Sequence, residues 1–401
     1  MPGGSLHSSH RTPALACYAL SQSALPLALR LTASLAASPW SRPGHCQPQG
    51  CTAQAQPAAL ARVALFAPAR FCPAGASPFE KIGPLLAQTY PRFAAHAFIG
   101  ATGIAVRALA PLLEHKSTDA PVLVLDPAGQ HVISLLAGHW GGGNALARHV
   151  AALLKAVPVI TTASDASPAA PPALDLLLRD AGLLPVDWNG LPAAQAALLE
   201  GGQLPLWDPC HAVPDHPGLL RLPTAEDPAT AATDACPPPH APAGLLVAAH
   251  WRRLEPQPAT LRVAVPRLVL GLGCRKNVPA DMVQSAVRGL LEQQGLEPLA
   301  LTALATVHEK LQEPALKALA QSLHLPLLGF AAADLAHCTT PNPSAAAGRR
   351  FDQPPFSVCE AAALLAATQI FPAGTARLIL PKTTEQGQLT MAVALSDRII
   401  L

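Results

Sequence analysis

Charge is scarce in this chain. Only 13% of its residues are Asp, Glu, Lys or Arg, and 27 basic against 25 acidic side chains leave a formal net charge of +2. A chain so nearly neutral has no basic footprint for wholesale nucleic-acid binding and is not a charge-expanded disordered polymer. Aromatic residues are scarcer still, at 4%. The nine cysteines are scattered without a short-range disulfide framework, so a reducing cytoplasm is the simpler setting. Cys46-x4-Cys51 and Cys210-His211 with His216 have metal-like spacing but no full ligand set. No apolar run persuades as a membrane span: Thr12–Leu29 lacks charge, but two prolines and several Ser and Gln residues interrupt it, where a span wants about 20 predominantly apolar residues. No Rossmann G-x-G-x-x-G, no Walker P-loop and no repeat at solenoid spacing is found.

What is present is apolar bulk and proline. Hydrophobic residues make up 50% of 401 positions, enough to bury a sizeable core, and 44 prolines are about twice the usual share. The length predicts two or three domains. Residues 1–58 are rich in Ala, Ser, Pro and Gln with weak periodicity, and read as a low-complexity or disordered extension. From 59 to 165 apolar strands alternate with amphipathic helices, which predicts an α/β domain. Residues 166–262 read as a small middle region of short helices followed by a Pro-rich flexible linker. From 263 to 401 the strand–helix rhythm returns and closes on a hairpin across Glu385–Gln388. The predicted architecture is therefore two three-layer α/β lobes joined by a small middle region and a Pro-rich linker.

Three glycine loops sit between a strand and a helix: Gly100–Gly103, Gly138–Asn144 and Gly271–Lys276. Such loops can leave backbone N–H groups pointing outward at a helix N-terminus, which suits a phosphate or carboxylate. They can also be tight turns and nothing more. Thr102 is placed to cap the helix that carries Val106, Leu109 and Leu113. His139, between a strand end and a glycine turn, is a candidate acid or base near neutral pH; the bland alternative is a histidine that fixes its loop. Asp165, after Thr161 and Thr162, is a candidate orienter of that base, or an Asx turn. Glu360 is a third catalytic candidate, although Ser357-Val-Cys-Glu360 also spells a capping box. Arg275, Lys276, Lys310 and Lys382 stand at or beside strand ends, where they could pair with substrate carboxylates. Cys274 and Cys359 could be nucleophiles, but no histidine partner is specified.

Ordered along the chain, these segments carry a resemblance. Phe98-Ile-Gly-Ala-Thr-Gly-Ile-Ala-Val-Arg107, Ile133–Asn144 (ISLLAGHWGGGN) and Val159-Ile-Thr-Thr-Ala-Ser-Asp165 closely resemble the N-terminal domain of the cobalt-precorrin-5A hydrolase family of anaerobic cobalamin biosynthesis. Leu174-Asp-Leu-Leu and Leu198-Leu-Glu-Gly201 fit its middle region. Gly271-Leu-Gly-Cys-Arg275, Ala305-Thr-Val-His-Glu-Lys310 with Glu313, Pro341-Asn-Pro-Ser344, Val358–Ala363 and Leu380-Pro-Lys382 resemble its C-terminal domain. The chain departs from the family at Ala137, Gly143, Ser164 and His308, where Ser, Ala, Thr and Asp are usual.

The resemblance implies a hydrolase that opens the ring-A δ-lactone of cobalt-precorrin-5A, with loss of the C20 carbon as acetaldehyde to give cobalt-precorrin-5B. It implies a cytoplasmic enzyme without a cofactor of its own, the cobalt being carried by the substrate. The implied partners are cobalt-precorrin-5A and neighbouring cobalamin-pathway enzymes, with neither nucleic acid nor membrane. In that reading His139, Asp165 and Glu360 serve catalysis. Substrate binding falls to Gly100, Thr102, Gly103 and Arg107, to Gly138, Gly141, Gly142, Asn144, Thr161 and Thr162, and to Gly273, Cys274, Arg275, Lys310, Glu313, Asn342, Ser344 and Lys382. The glycine-lined turns of both lobes would clasp a polyanionic macrocycle, and the backbone around Gly141–Gly143 would supply oxyanion or carboxylate donors. Two other classes fit the same residues: a non-catalytic tetrapyrrole carrier, and an unrelated α/β enzyme for a phosphorylated substrate.

Overall fold

The computed structural model describes residues 12–40, 60, 62–162, 173–223, 245–371 and 374–397. The described residues divide into two compact units, the first ending at Leu176 and the second beginning at Leu177.

In the first unit Thr12–Ala19 (β1), Arg62–Pro68 (β2), Ser77–Phe79 (β3), Phe93–Ile99 (β4), Val122–Leu125 (β5), His131–Leu136 (β6) and Val157–Val159 (β7) form one sheet in the order β3-β2-β1-β4-β5-β6-β7. Helices Leu25–Ala37 (α1) and Gly143–Leu154 (α4) cover one face, where Leu27, Leu31, Leu146 and Val150 pack with Leu15, Cys17 and Ile99. Helices Ile82–Thr89 (α2) and Thr102–Leu109 (α3) cover the other, where Leu86 and Leu109 meet Tyr18, Phe66 and Phe98. Each face of the sheet is thus sealed by helix, the three-layer arrangement expected.

The reading of residues 1–58 as an extension is corrected by β1 and α1. β1 lies in the middle of the sheet, parallel to both β2 and β4. A strand buried on both faces shows no polar alternation, and Leu15–Ala19 are wholly buried. In α1 the leucines at 27, 31 and 35 recur four apart on the buried face. Pro26 sits in the first helical turn, where its missing N–H costs little. Residues 1–11 and 41–59 lie outside the described residues.

α3 also differs from expectation at its start. Ala101 is the N-cap, without a side-chain bond, and Thr102 is the first helical residue. Leu109 is buried as predicted, whereas Val106 and Leu113 are exposed.

The second unit holds two sheets. Leu174–Asp180 (α5) begins in the first unit, which ends at Leu176, and leads into the second. There Leu184–Pro185 (β8), Leu204–Trp207 (β9), Leu219–Arg221 (β10), Leu246–His250 (β11) and Thr260–Ala264 (β12) build a five-stranded sheet in the order β10-β9-β11-β12-β8, with Leu191–Leu199 (α6) between β8 and β9. The two short helices were legible, but the flexible linker is corrected over its described part. Every residue of β11 is buried, and so short an apolar run among prolines carries no period to read. Residues 224–244 lie outside the described set.

The last sheet runs Leu327–Phe330 (β15), Leu301–Val307 (β14), Leu268–Cys274 (β13), Leu389–Ser396 (β17) and Ala376–Glu385 (β16), with β17 antiparallel to both its neighbours. The helices are Ala280–Gln293 (α7), Pro314–Leu323 (α8), Ala332–His337 (α9), Ala345–Phe351 (α10) and Val358–Ile370 (α11). α11 is almost entirely apolar and packs Ala362, Ala363 and Ala366 against Val269, Ala303 and Ala394. Its backbone crosses β13 so closely that a Cβ on Gly271 would collide with the Cys359 carbonyl. Gly271 is therefore a packing glycine within a strand, and the loop expected at Gly271–Lys276 is corrected: β13 runs on to Cys274, paired with β17. Among the described residues no helix is long and apolar enough to cross a membrane.

Candidate functional site

Strand direction sorts the loops of the first unit. β4 and β5 are parallel, and the end of β4 at Ile99 lies beside Leu125, the end of β5. β6 is antiparallel to β5, so its last residue, Leu136, lies beside Val122 at the start of β5. The Gly100–Gly103 and Gly138–Asn144 loops therefore leave opposite edges of the sheet, separated by at least the length of β5, on the order of 10 Å. The expectation that both grip one ligand is corrected by this reversal. At the Gly100 edge the Gly100 amide donates to the Leu125 carbonyl (2.9 Å) and the exposed Arg107 folds back to donate to the Gly103 carbonyl (3.0 Å).

At the other edge β7 runs parallel to β6, its last residue Val159 opposite Ile133. The Gly138–Asn144 loop is a closed turn. The amides of Gly142, Gly143 and Asn144 donate to the carbonyls of His139 (2.9 Å), Ala137 (3.0 Å) and Gly138 (2.9 Å). Gly142 takes the left-handed conformation at φ 81°, which suits glycine. The amides at 142 and 143 are occupied within the turn and are not free to serve as the expected oxyanion or carboxylate donors; these two glycines shape the turn. Gly138 leaves room for the buried Asn144, whose Oδ1 would lie 2.5 Å from an added Cβ, and Asn144 Nδ2 donates to Thr162 Oγ1 (3.1 Å). The predicted Gly138, Asn144 and Thr162 are thereby brought together, while Thr161 is exposed.

The turn holds His139 against a carboxylate. His139 Nδ1 lies 3.1 Å from Asp175 Oδ1 in the first turn of α5, with the two side chains 12% and 18% exposed. That exposure leaves the pair reachable from solvent while removing most of its hydration. With Nδ1 protonated toward the carboxylate, Nε2 carries the lone pair, the tautomer a general base requires. Asp175 also accepts the Leu176 amide (3.0 Å), which fixes the carboxylate. Burial holds the nearby Lys116 ammonium below its ordinary range, and the charge of Asp175 partly offsets that shift. Asp165, the expected orienter, lies outside the described residues. Asp175 was missed because an Asp in a first helical turn reads as a helix-dipole residue; the Leu174-Asp-Leu-Leu motif was its only signal.

In the second unit a pocket of about 250 Å³ opens at the strand ends of β13 and β14 beside the β16–β17 hairpin. The predicted Gly273, Cys274, Arg275, Lys310, Ser344 and Lys382 all line it, together with Val307, Phe351, Val358 and Arg350. Arg350 was missed, since one of two adjacent arginines carries no sequence signal.

Several predicted residues frame this pocket without facing a ligand. Lys310 Nζ donates to Glu313 Oε2 (2.9 Å), both side chains being about 5% exposed, and Glu313 Oε1 accepts the Asn277 amide (2.7 Å). Burial works against the Glu313 charge, but Lys310 and the Asn277 amide outweigh it and hold the carboxyl below the usual range. Glu360 is fully buried, and its oxygens accept Asn342 Nδ2 (2.8 Å), the Asn342 amide (3.1 Å) and the Lys382 amide (2.9 Å). Here too those hydrogen bonds overcome burial and keep the carboxyl low. The catalytic assignment of Glu360 is corrected on this ground, and so is its capping-box alternative: it ties the Asn342 loop and β16 to α11. Ser344 Oγ accepts the Ala347 amide and caps α10. Burial pushes the Cys274 thiol up to about 11, so it is neutral near pH 7 and no thiolate nucleophile. Cys359 is buried and shifted the same way. Among the described residues no group of three or more His, Cys, Asp or Glu side chains could hold a metal ion.

Comparison with known proteins joins these halves. Residues 84–165 match the family described as Cobalamin synthesis G N-terminal, and residues 268–394 match Cobalamin synthesis G C-terminus. The cobalt-precorrin-5A hydrolase of Salmonella typhimurium is 35% identical over 266 residues, 61% of this chain and 68% of that protein. That of Priestia megaterium is 30% identical over 324 residues, 78% of this chain and 81% of its own. A solved cobalamin biosynthesis protein G homologue from Sulfolobus solfataricus, 16% identical, aligns over 98% of this chain and 99% of its own with a TM-score of 0.35. The paired N- and C-terminal matches and the extent of the Salmonella and Priestia alignments make this chain a member of the cobalt-precorrin-5A hydrolase family.

Proposed function

We propose that this chain opens the ring-A δ-lactone of cobalt-precorrin-5A and releases the C20 carbon with its methyl group as acetaldehyde, leaving cobalt-precorrin-5B. The observation that supports this reading is the His139–Asp175 pair at 3.1 Å. Ester opening needs a group that takes a proton from water as it attacks the carbonyl and returns one later. His139 Nε2 is the base, and Asp175 stabilises the imidazolium that forms. Acyl C–O cleavage frees a hydroxyl on C20. Loss of that proton lets the bond from C20 to the ring break, its electron pair passing into the macrocycle as acetaldehyde leaves. The cobalt is part of the substrate, and no step is assigned to a cofactor of the protein's own. A cytoplasmic location and hand-over from neighbouring cobalamin-pathway enzymes belong to the same proposal.

Trapping of volatile aldehyde from purified protein and cobalt-precorrin-5A tests the reading. His139→Ala is expected to lower kcat by roughly 10²–10⁴-fold, the usual contribution of a general acid–base. Activity near wild type in that variant removes His139 from the chemistry. Stoichiometric binding by the wild type with no aldehyde released makes the chain a carrier.

A further inference from the structure

We infer that the pocket at the ends of β13 and β14 is a recognition site for the carboxylate-bearing edge of a large organic ring, and that Arg350 determines its specificity together with Arg275 and Lys382. The inference deepens the proposed function and rests on it for the identity of the ring.

Four cationic side chains line the pocket: Arg275, Lys310, Arg350 and Lys382. Lys310 is neutralised by Glu313 at 2.9 Å. Arg275, Arg350 and Lys382 form no ion pair among the described residues. They come from three separate elements, the end of β13, the end of α10 and β16. Three unbalanced cations converging on one concavity repel one another, and an anionic guest relieves that repulsion. Between them the wall is apolar, built by Val307, Phe351 and Val358. A small hydrated anion gains nothing from such a wall, whereas a ring edge carrying carboxylate arms uses both surfaces.

Size points the same way. At about 250 Å³ the pocket is smaller than the roughly 300–1,000 Å³ typical of sites that enclose a whole drug-sized ligand. It is too small to enclose a whole macrocycle, so only an edge of one with its carboxylate arms would enter. Arg350 stands beside the apolar wall of the pocket. Its guanidinium lies over the Phe351 ring at 5.4 Å from the centroid, and its planar fork matches a carboxylate at two points.

The experiment is a titration of the full chain with uroporphyrin, a metal-free ring with an acetate and a propionate on every pyrrole, followed by its absorbance. Coproporphyrin, which lacks the acetates, serves as comparison. The wild type is expected to bind uroporphyrin more tightly than coproporphyrin. Arg350→Gln and Lys382→Gln are each expected to weaken uroporphyrin about tenfold, as loss of a charge-assisted contact does. Arg288→Gln, on the distant surface of α7, is expected to change nothing. Because Arg350 is exposed at a helix end, its variant retains the fold. Wild-type protein that binds neither porphyrin, binds both equally, or keeps its affinity within twofold in both pocket variants overturns the inference. The hydrolase reading fails separately, when the wild-type chain releases no aldehyde from cobalt-precorrin-5A, so the two failures are told apart.

Discussion

Around His139 and around Arg275 the protein uses a strand end in opposite ways. At the His139 turn the amides of Gly142, Gly143 and Asn144 bond carbonyls within the turn itself, leaving one imidazole backed by one carboxylate. At Arg275 the backbone is held in the sheet, its amide donating to the Gln388 carbonyl, and the surroundings are cationic side chains. The first arrangement suits proton transfer, because a closed turn keeps the base in one place. The second suits attraction of negative charge, because side chains from three elements surround a ligand without competing for the sheet. A glycine-rich strand end is therefore not an anion site in itself; what matters is where its amides are already committed.

The largest effect that tests this contrast comes from the base of the first unit. A chain beginning at Val63 lacks β1 and α1, and residues 84–160 are expected to lose amide hydrogen-exchange protection. Residues 268–394, in the other unit, should keep theirs. Protection of both regions in the truncated chain would show that β1 is dispensable and return it to the status of an extension.

Next is the ion pair behind the cationic pocket. Lys310→Ala leaves Glu313 buried without its cation and is expected to cost roughly 3–5 kcal/mol in denaturant unfolding. The pH dependence carries a sign. The Glu313 carboxyl is held below its ordinary range in the folded protein, so the stability it contributes is present above the unfolded-state value. It is lost as pH falls through the lower folded-state value. Lys310→Ala should flatten that acid-side loss. A variant as stable as wild type, with unchanged acid sensitivity, would mean the pair is not formed in solution.

The smallest effect refines the first site. Asp175→Asn keeps the shape but removes the charge that stabilises an imidazolium. It is expected to lower kcat for aldehyde release by roughly 10²-fold, with KM little changed. Because Asp175 acts through His139, the pH–rate profile should also shift, and an unshifted profile with full kcat would separate Asp175 from the base.

Much of the fold was legible in the residues. The strand–helix alternation, the two short helices of the middle region and the closing hairpin across Glu385–Gln388 were legible, because amphipathic periods and glycine boundaries are local signals. β1 and β11 were missed for the opposite reason: the runs Ala14–Ala19 and Leu246–His250 are buried without interruption and have no period. The candidate site was legible in part. His139 and the cations Arg275, Lys310 and Lys382 stand out by residue type and position. Asp175 lies 36 residues from His139, and no local pattern links them.

By itself the sequence determined which segments become strands, helices and turns, and which family they spell, since these follow from side-chain volume, polarity and order along the chain. Only the tertiary structure decided that β6 reverses against β5, placing two similar glycine loops at opposite ends of the strands, that Asp175 reaches His139, and that the Asn342 and Lys382 amides meet at Glu360. Strand direction and pairing are set by long-range burial and hydrogen bonding, which bring together groups that the one-dimensional order keeps apart.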